Sequence, residues 1–326
     1  MKHQIIHLKD YYSFLGENGK DATVEIYLPD NIDEGGRRDF KKPSIVVCPG
    51  GGYAGCASRE AEVMALQYTA KGYNAFVINY SCAPHRFPSQ ILEVAATVDL
   101  LHNNAQDWYC DLSRVAIIGF SAGGHLAGHY STCYDCKEVR EFFPESYPVN
   151  ASILCYPVIS ADPKIAHIGS FKNLTGIQKS ELLPDDTLKF SLEKRVNKNT
   201  PPAYIWHTAE DNIVPVQNSI AYAKALADNG VPFELHIFPF GCHGLSTVDN
   251  RVFDNLDEKV KMAHSWISES IRWLDVIMKK IIFGVNIIMK KKDKRKLIVR
   301  IVASVCAVLM VGSIFLVAIY ASSGTS

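Results

Sequence analysis

"RVAIIGFSAGGHLAGHY", residues 114–130, decides how this chain is read. An apolar, β-branched run leads into Gly-x-Ser-x-Gly, and residues with helical spacing follow. An alcohol is a poor nucleophile at neutral pH unless a base lies within hydrogen-bond reach and donors await the oxyanion. A sharp strand-to-helix turn exposes such a serine, and it requires small residues two before and two after, where strand and helix approach closely. Gly119 and Gly123 meet that need around Ser121. The backbone N–H of Ala122 falls at the helix start, where free donors point outward, and is read as one oxyanion donor. The competing reading is an ordinary N-cap serine.

The rest of the chain surrounds this turn with a regular rhythm. Strands are expected at "TVEIYL" (23–28), "SIVVC" (44–48), "NAFVINY" (74–80), "RVAIIG" (114–119), "ASILCYP" (151–157), "AYIWHT" (203–208) and "FELHIF" (233–238). Helical spacing appears in "REAEVMALQYTAKG" (59–72), "SQILEVAATVDLLHNNA" (89–105) and "SIAYAKALADNG" (219–230). Strand alternating with helix implies crossover units: an α/β fold with a mostly parallel central sheet and helices on both faces. Residues 1–280 are assigned to one catalytic domain. Within it, 157–202 lacks a strand signal and reads as an insertion or lid over the sheet's carboxyl edge, or as one ordinary helix between long loops. "SWISESIRWLDVIMKKIIFGV" is amphipathic, with Trp266, Ile267, Ile271, Leu274 and Ile277 or Met278 recurring. It is read first as the closing helix of the core and second as a membrane-surface helix.

A nucleophile needs partners. "CPGGGY" (48–53) follows a buried strand, and its glycines let backbone N–H groups turn inward as further oxyanion donors. Among eleven histidines, His243 stands in a Gly-flanked loop, "FPFGCHGLS", just after the last strand, and is taken as general base. His125 and His129 are too close to Ser121 in sequence to fold back onto it and are assigned to packing. His207, at a strand end, is a candidate pocket-liner. His236 lies within a strand, and His3, His7, His102, His167 and His264 have no motif around them. An orienting carboxylate fixes the imidazole tautomer. "HTAEDNIVP" offers Asp211 beyond its strand, preferred over Glu210 and Asp249.

At this point the chain resembles α/β-hydrolase serine esterases of the acetyl-xylan and acetyl-esterase type, related to hormone-sensitive-lipase-like enzymes. "VVCPGGGY", "REAEVMALQYTAKGYNAFVINYSCAP", "FPSQILEVAATVDLL", "RVAIIGFSAGGHLAGH", "ASILCYPVIS" and the stretch from "TPPAYIWHTAEDNIVPV" to "FPFGCHGLS" carry the resemblance, over about residues 20–250. The chain order Ser, Asp, His fits that architecture. The resemblance implies Ser121 as nucleophile, His243 as base, Asp211 as acid, and Gly51, Gly52 and Ala122 around the oxyanion. Pro49 stands where hormone-sensitive-lipase-like enzymes begin the glycine loop with histidine, which favours the acetyl-esterase branch. Short acyl groups, chiefly acetyl, on sugars or xylo-oligosaccharides are implied, with no metal or cofactor. Tyr53, Arg59, Tyr80 and Trp206 are expected near the mouth as sugar-binding residues, with packing behind the site as the alternative. A prolyl-oligopeptidase-like peptidase and a non-catalytic hydrolase-fold binding protein are the other readings considered.

Composition sets outer bounds. Lys and Arg number 34 and Asp and Glu 34, so no global field points to nucleic acid. Nine cysteines without regular spacing, Cys133 and Cys136 forming one C-x-x-C, read as reduced thiols rather than a metal site. The amino terminus has no apolar stretch of the secretory kind, so a cytoplasmic catalytic domain is expected. Residues 281–296 form a basic linker. Residues 297–320 read as a hydrophobic tail helix able to anchor the chain in a membrane, since 301–320 carry no charge. The same tail, from Met289, also resembles a fused signal-peptide start.

Overall fold

The computed structural model describes residues 1–16, 21–32, 36, 38–177 and 188–279. Its centre is an eight-stranded sheet: β1 (Lys2–His7), β2 (Thr23–Leu28), β3 (Lys42–Cys48), β4 (Asn74–Asn79), β5 (Cys110–Phe120), β6 (Ala151–Cys155), β7 (Ala203–Thr208) and β8 (Phe233–Phe238). In space the strands run β1-β2-β4-β3-β5-β6-β7-β8. β1 and β2 pair antiparallel, as do β2 and β4. Every pairing from β4 onward is parallel. The expected mostly parallel α/β sheet is therefore present.

Side-chain alternation divides the interior into two layers, because successive residues of a strand face opposite sides. Val46, Phe76, Ile78, Val115, Ile117, Leu154 and Ile205 belong to one core. Their neighbours Ile45, Val47, Ala75, Val77, Ala116, Ile118, Ile153, Tyr204 and Trp206 belong to the other. Both faces are apolar because both are covered. On the first lie α2 (Ser89–Asn103), with Ile91, Val94, Val98 and Leu101 buried, and α3 (Ala122–Cys133), with Leu126, Ala127 and Tyr130 buried. On the second lies α1 (Glu62–Thr69), through Met64, Ala65 and Tyr68. A helix over 266–279 joins it there. Trp266, Ile267, Ile271, Leu274 and Met278 bury in that same core, so this segment is the closing helix and not a surface-lying one. Burying each such large apolar side chain contributes roughly 1.5–3 kcal/mol.

Further helices are α4 (Lys137–Arg140), α5 (Ile168–Thr175), α6 (Gln217–Asp228) and α7 (Glu258–Lys261). Between 157 and 202 the described residues hold α5, a helical stretch over 188–190 and a 3-10 turn at Leu192–Lys194, and no strand. The basic linker 281–296 and the tail 297–320 lie outside the described residues. Among the described residues no helix is long and apolar enough to cross a membrane.

The parallel strands β3, β5, β6, β7 and β8 end at one edge. The segments that leave them there carry Gly50–Gly52, Ser121, Tyr156, Asp211 and His243. This is where open α/β sheets gather ligands.

Candidate active site

Ser121 stands between the last residue of β5 and the first of α3, with φ 53° and ψ −118°. Few non-glycine residues adopt that conformation, and holding one costs on the order of 1–3 kcal/mol. The surroundings hold it. The Ser121 N–H donates to the Cys155 carbonyl (3.0 Å), while the Ser121 carbonyl accepts from Val158 N–H (3.0 Å) and His125 N–H (3.1 Å). Strand and helix come so close that a Cβ on Gly119 would lie 2.1 Å from the Gly123 carbonyl oxygen. One on Gly123 would lie 2.2 Å from that of Cys48. The local sequence thus dictates the turn.

His243 enters from the loop after β8. Its Nε2 is 2.7 Å from Ser121 Oγ and its Nδ1 2.6 Å from Asp211 Oδ2. A carboxylate only accepts, so Nδ1 carries the proton, and Nε2 is left to accept from the serine hydroxyl. Asp211 and Ser121 are 6% and 7% exposed. The His243 side chain keeps 14% exposure. Asp211 sits in a full set of donors: Ile213 and Val214 N–H reach Oδ1 (3.0 and 2.9 Å), and His207 Nε2 lies 3.1 Å from Oδ2. Burial opposes the carboxylate's charge, but the bonds from His207 and His243, the His243 charge and the Val214 N–H outweigh it. They hold the carboxyl well below the usual range.

His207 is fully buried and does not line the pocket. Its Nε2 faces two acceptors, Asp211 Oδ2 and the Val214 carbonyl (2.9 Å), so it donates there, and its Nδ1 meets Ser219 Oγ at 2.8 Å. The rival carboxylates are committed elsewhere. Glu210 accepts from Gly241 N–H (3.0 Å) and braces the His243 loop. Asp249 is bound to Arg251, whose hydrogen bonds pull its carboxyl down to about 2.

A cavity of about 350 Å³ opens above Ser121. Gly51, Gly52, Ala54, Arg59, Glu60, Ser121, His167, Gly169, Asn173, Ile213 and His243 line it. Gly51 has φ 127°, a backbone that side chains rarely adopt. Among the described residues none accepts a hydrogen bond from the N–H of Gly51, Gly52 or Ala122. The turn is tied to α5 by Asn173 Nδ2, which donates to the Gly52 carbonyl (2.9 Å). A wider cavity of about 550 Å³ lies between Val248 and His264 and contains none of these groups.

Of the four residues expected at the mouth, only Arg59 lines this cavity. Tyr53, Tyr80 and Trp206 are buried, with at most 1% exposure, and that expectation is corrected for all three. Tyr80 donates to the Pro49 carbonyl (2.6 Å) and so supports the glycine turn from beneath. Tyr53 pairs through its hydroxyl with His125 Nδ1 (2.8 Å). Trp206 stacks on Trp266 with ring centroids 5.0 Å apart. Sequence reasoning passed over His167 and Asn173, which reach the cavity from the 157–202 segment, and Glu60, which a helical pattern absorbed. Nothing local marks Glu60, which lies in a 3-10 turn (Ser58–Glu60) just ahead of α1.

The family model described as BD-FAE matches residues 24–226. Endo-1,4-beta-xylanase B of Butyrivibrio fibrisolvens is 36% identical over 225 residues, which are 66% of this chain and 34% of that protein. Acetylxylan esterase of Xylanibacter ruminicola is 34% identical over 235 residues, 71% of this chain and 45% of that protein. The chain thus spans less than half the length of these two relatives. Among solved structures, an acetyl ester-xyloside bifunctional hydrolase from Caldicellulosiruptor lactoaceticus is similar over 84% of this chain and 96% of its own. It has 32% identity and a TM-score of 0.70. MGS-M1, an α/β hydrolase from a Medee basin deep-sea metagenome library, aligns over 86% of this chain and 98% of its own, with 31% identity and a TM-score of 0.68.

Proposed function

Since the chain belongs to the BD-FAE family and is an acetyl-esterase-like α/β-hydrolase of the carboxylic ester hydrolase class, we propose that it removes short acyl groups, chiefly acetyl, from sugars or xylo-oligosaccharides. Ser121 attacks the ester carbonyl while His243 Nε2 takes its proton. Asp211 keeps the imidazole in the required tautomer and stabilises its charged form. The N–H groups of Gly51, Gly52 and Ala122 receive the oxyanion. The alcohol leaves with the proton held by His243. Water, activated by the same imidazole, then releases the acid from the acyl-enzyme and restores the serine.

One observation carries this reading: the unbroken chain from Asp211 through His243 to Ser121, with bonds of 2.6 and 2.7 Å, at the floor of a cavity. The acyl-sugar substrate is supported by the printed names of the relatives, an acetylxylan esterase and an acetyl ester-xyloside hydrolase. Arg59, His167 and Asn173 give the cavity wall polar groups for sugar hydroxyls. The test is hydrolysis of p-nitrophenyl acetate by the full chain and by Ser121→Ala. A loss of about 10³-fold or more is expected, since such residues act as a unit. Equal rates in the two proteins would sink the assignment. Acetylated xylo-oligosaccharides, compared with a prolyl-anilide, then separate the esterase from the peptidase reading.

A further inference from the structure

We propose that Glu60 is a positioning residue whose buried, ionised carboxylate clasps the glycine turn to Tyr156 and thereby holds the Ser121–His243 pair in register. The proposal rests on the esterase reading above.

Glu60 is 1% exposed. A carboxylate in that place is costly unless its oxygens are satisfied, and an apolar side chain of similar volume would often serve stability as well or better. The cation beside it, Arg59, keeps its Nε 3.9 Å away and is itself half exposed. What satisfies Glu60 is the site. Its Oε2 accepts from Gly50 N–H (2.8 Å), the first residue of the glycine turn. Its Oε1 accepts from the Tyr156 hydroxyl (2.7 Å). The Tyr156 oxygen accepts in turn from Ser246 N–H (3.0 Å), three residues beyond His243. The ring of Tyr156 stands edge-on to His243, with centroids 5.1 Å apart and planes at 70°. One carboxylate therefore joins the loops that follow β3, β6 and β8.

Two of the joined residues sit in the left-handed region, Tyr156 at φ 37° and Ser246 at φ 50°. Such conformations persist where the surroundings over-determine them. Both donors offered to Glu60 suit the ionised form, which can accept at each oxygen. Burial pushes the Glu60 carboxyl up; Tyr156, the Gly50 N–H, Arg59 and His243 pull the other way. The charged and titratable groups around the pair are few. Arg59, Cys155, Tyr156 and His243 face Glu60, while Asp211, Glu60, Tyr156 and His167 face His243. Removing a negative charge near an imidazole disfavours its protonated form. A Glu60 variant without charge thus moves the acid limb of kcat/KM to lower pH.

The experiment measures p-nitrophenyl acetate hydrolysis by the full chain carrying Glu60→Gln, beside wild type and Ser121→Ala. Expected are a kcat lowered roughly 10- to 100-fold, as for a misplacement near 1 Å, and a KM within about threefold. The acid limb moves to lower pH. Wild-type kcat in Glu60→Gln overturns the proposal. So does a lowered kcat with an unmoved acid limb, which would reduce Glu60 to packing. If Glu60→Gln does not fold, Tyr156→Phe removes only the phenol oxygen and keeps the ring against His243. A kcat about tenfold lower supports the clasp, and wild-type kcat overturns it. If Ser121→Ala stays active, the esterase reading itself fails. If Ser121→Ala is dead while Glu60→Gln and Tyr156→Phe match wild type, only the clasp fails.

Discussion

His243 and His125 sit in hydrogen-bond chains of the same form, and of these two only His243 stands at a cavity. His243 has an acceptor on one nitrogen, Asp211, and a hydroxyl on the other, Ser121. His125 has an acceptor on one nitrogen, the Phe190 carbonyl (2.9 Å), and a hydroxyl on the other, that of Tyr53. The carbonyl fixes the His125 tautomer as the carboxylate fixes that of His243. The differences lie in charge and water. His125 is fully buried, and among the described residues its ring nitrogens meet a hydroxyl and a carbonyl rather than a carboxylate. Burial drops it to about 4, and Arg195 pushes the same way against the Phe190 bond. His129, one turn on, is held well below its usual value for the same reason, burial first. An imidazole between an acceptor and a hydroxyl is therefore not enough. It needs an ionised acceptor that stabilises its charged form and a cavity through which substrate reaches the hydroxyl.

The sharpest way to break this contrast is to make His243 resemble His125. Asp211→Asn replaces the carboxylate by a neutral partner that can also present a donor to Nδ1 and so favour the wrong tautomer. We expect kcat to fall roughly 10³- to 10⁴-fold with the fold retained. A variant within tenfold of wild type would mean the charge is dispensable and the contrast false.

Next comes the cost of charging His125. The unfolded chain takes up this proton near 6.5, the folded protein near 4. Between those values the unfolded state binds more protons, so stability is complete above about pH 6.5 and is lost as pH falls towards 4. The gap corresponds to roughly 3 kcal/mol in full, of which about 2 kcal/mol is gone by pH 5, with His129 acting in the same direction. Urea unfolding at pH 7.5 and pH 5 measures this. Equal stabilities at the two values would contradict a neutral, buried His125.

The smallest effect tests the hydroxyl end. Tyr53→Phe removes the donor to His125 Nδ1 and leaves a buried acceptor unpaired. Stability should fall by about 1–3 kcal/mol while kcat stays within about threefold of wild type. A large loss of kcat with unchanged stability would return Tyr53 to the substrate-facing role that its burial denies.

Much of this was legible in the sequence where chemistry fixes local spacing. The glycines around Ser121, the loop of His243 and the turn of Asp211 each need their neighbours in the chain, so each announces itself in a few residues. Strands β3 to β7 were legible because both faces of the sheet are covered there and their residues run apolar, while β2 and β8 alternate apolar with polar residues. β1 was not read, since "KHQIIH" is mostly exposed and packs as an antiparallel edge against β2. The start of β5 was set four residues late, at Arg114, because "CDLS" is polar and only its first residue is buried. Trp206 and Tyr53 were placed at the mouth because an aromatic near a strand end does not declare which face it takes. Trp206 follows Tyr204 onto the face covered by the closing helix. Glu60 was illegible for a different reason: its partner Tyr156 lies 96 residues away. The fold alone brings them together.

The turn at Ser121 has a consequence for how such a protein can change. Gly119 and Gly123 leave no room for even a methyl group, so the serine's place is set by main chain pressed against main chain. Substitution there is closed. The opposite wall of the cleft comes from His167, Gly169 and Asn173, on a short helix that the sheet does not depend on for its register. Variation at the cavity-facing positions around His167 and Gly169 can therefore alter which esters are admitted, while the main-chain turn that presents Ser121 stays as it is.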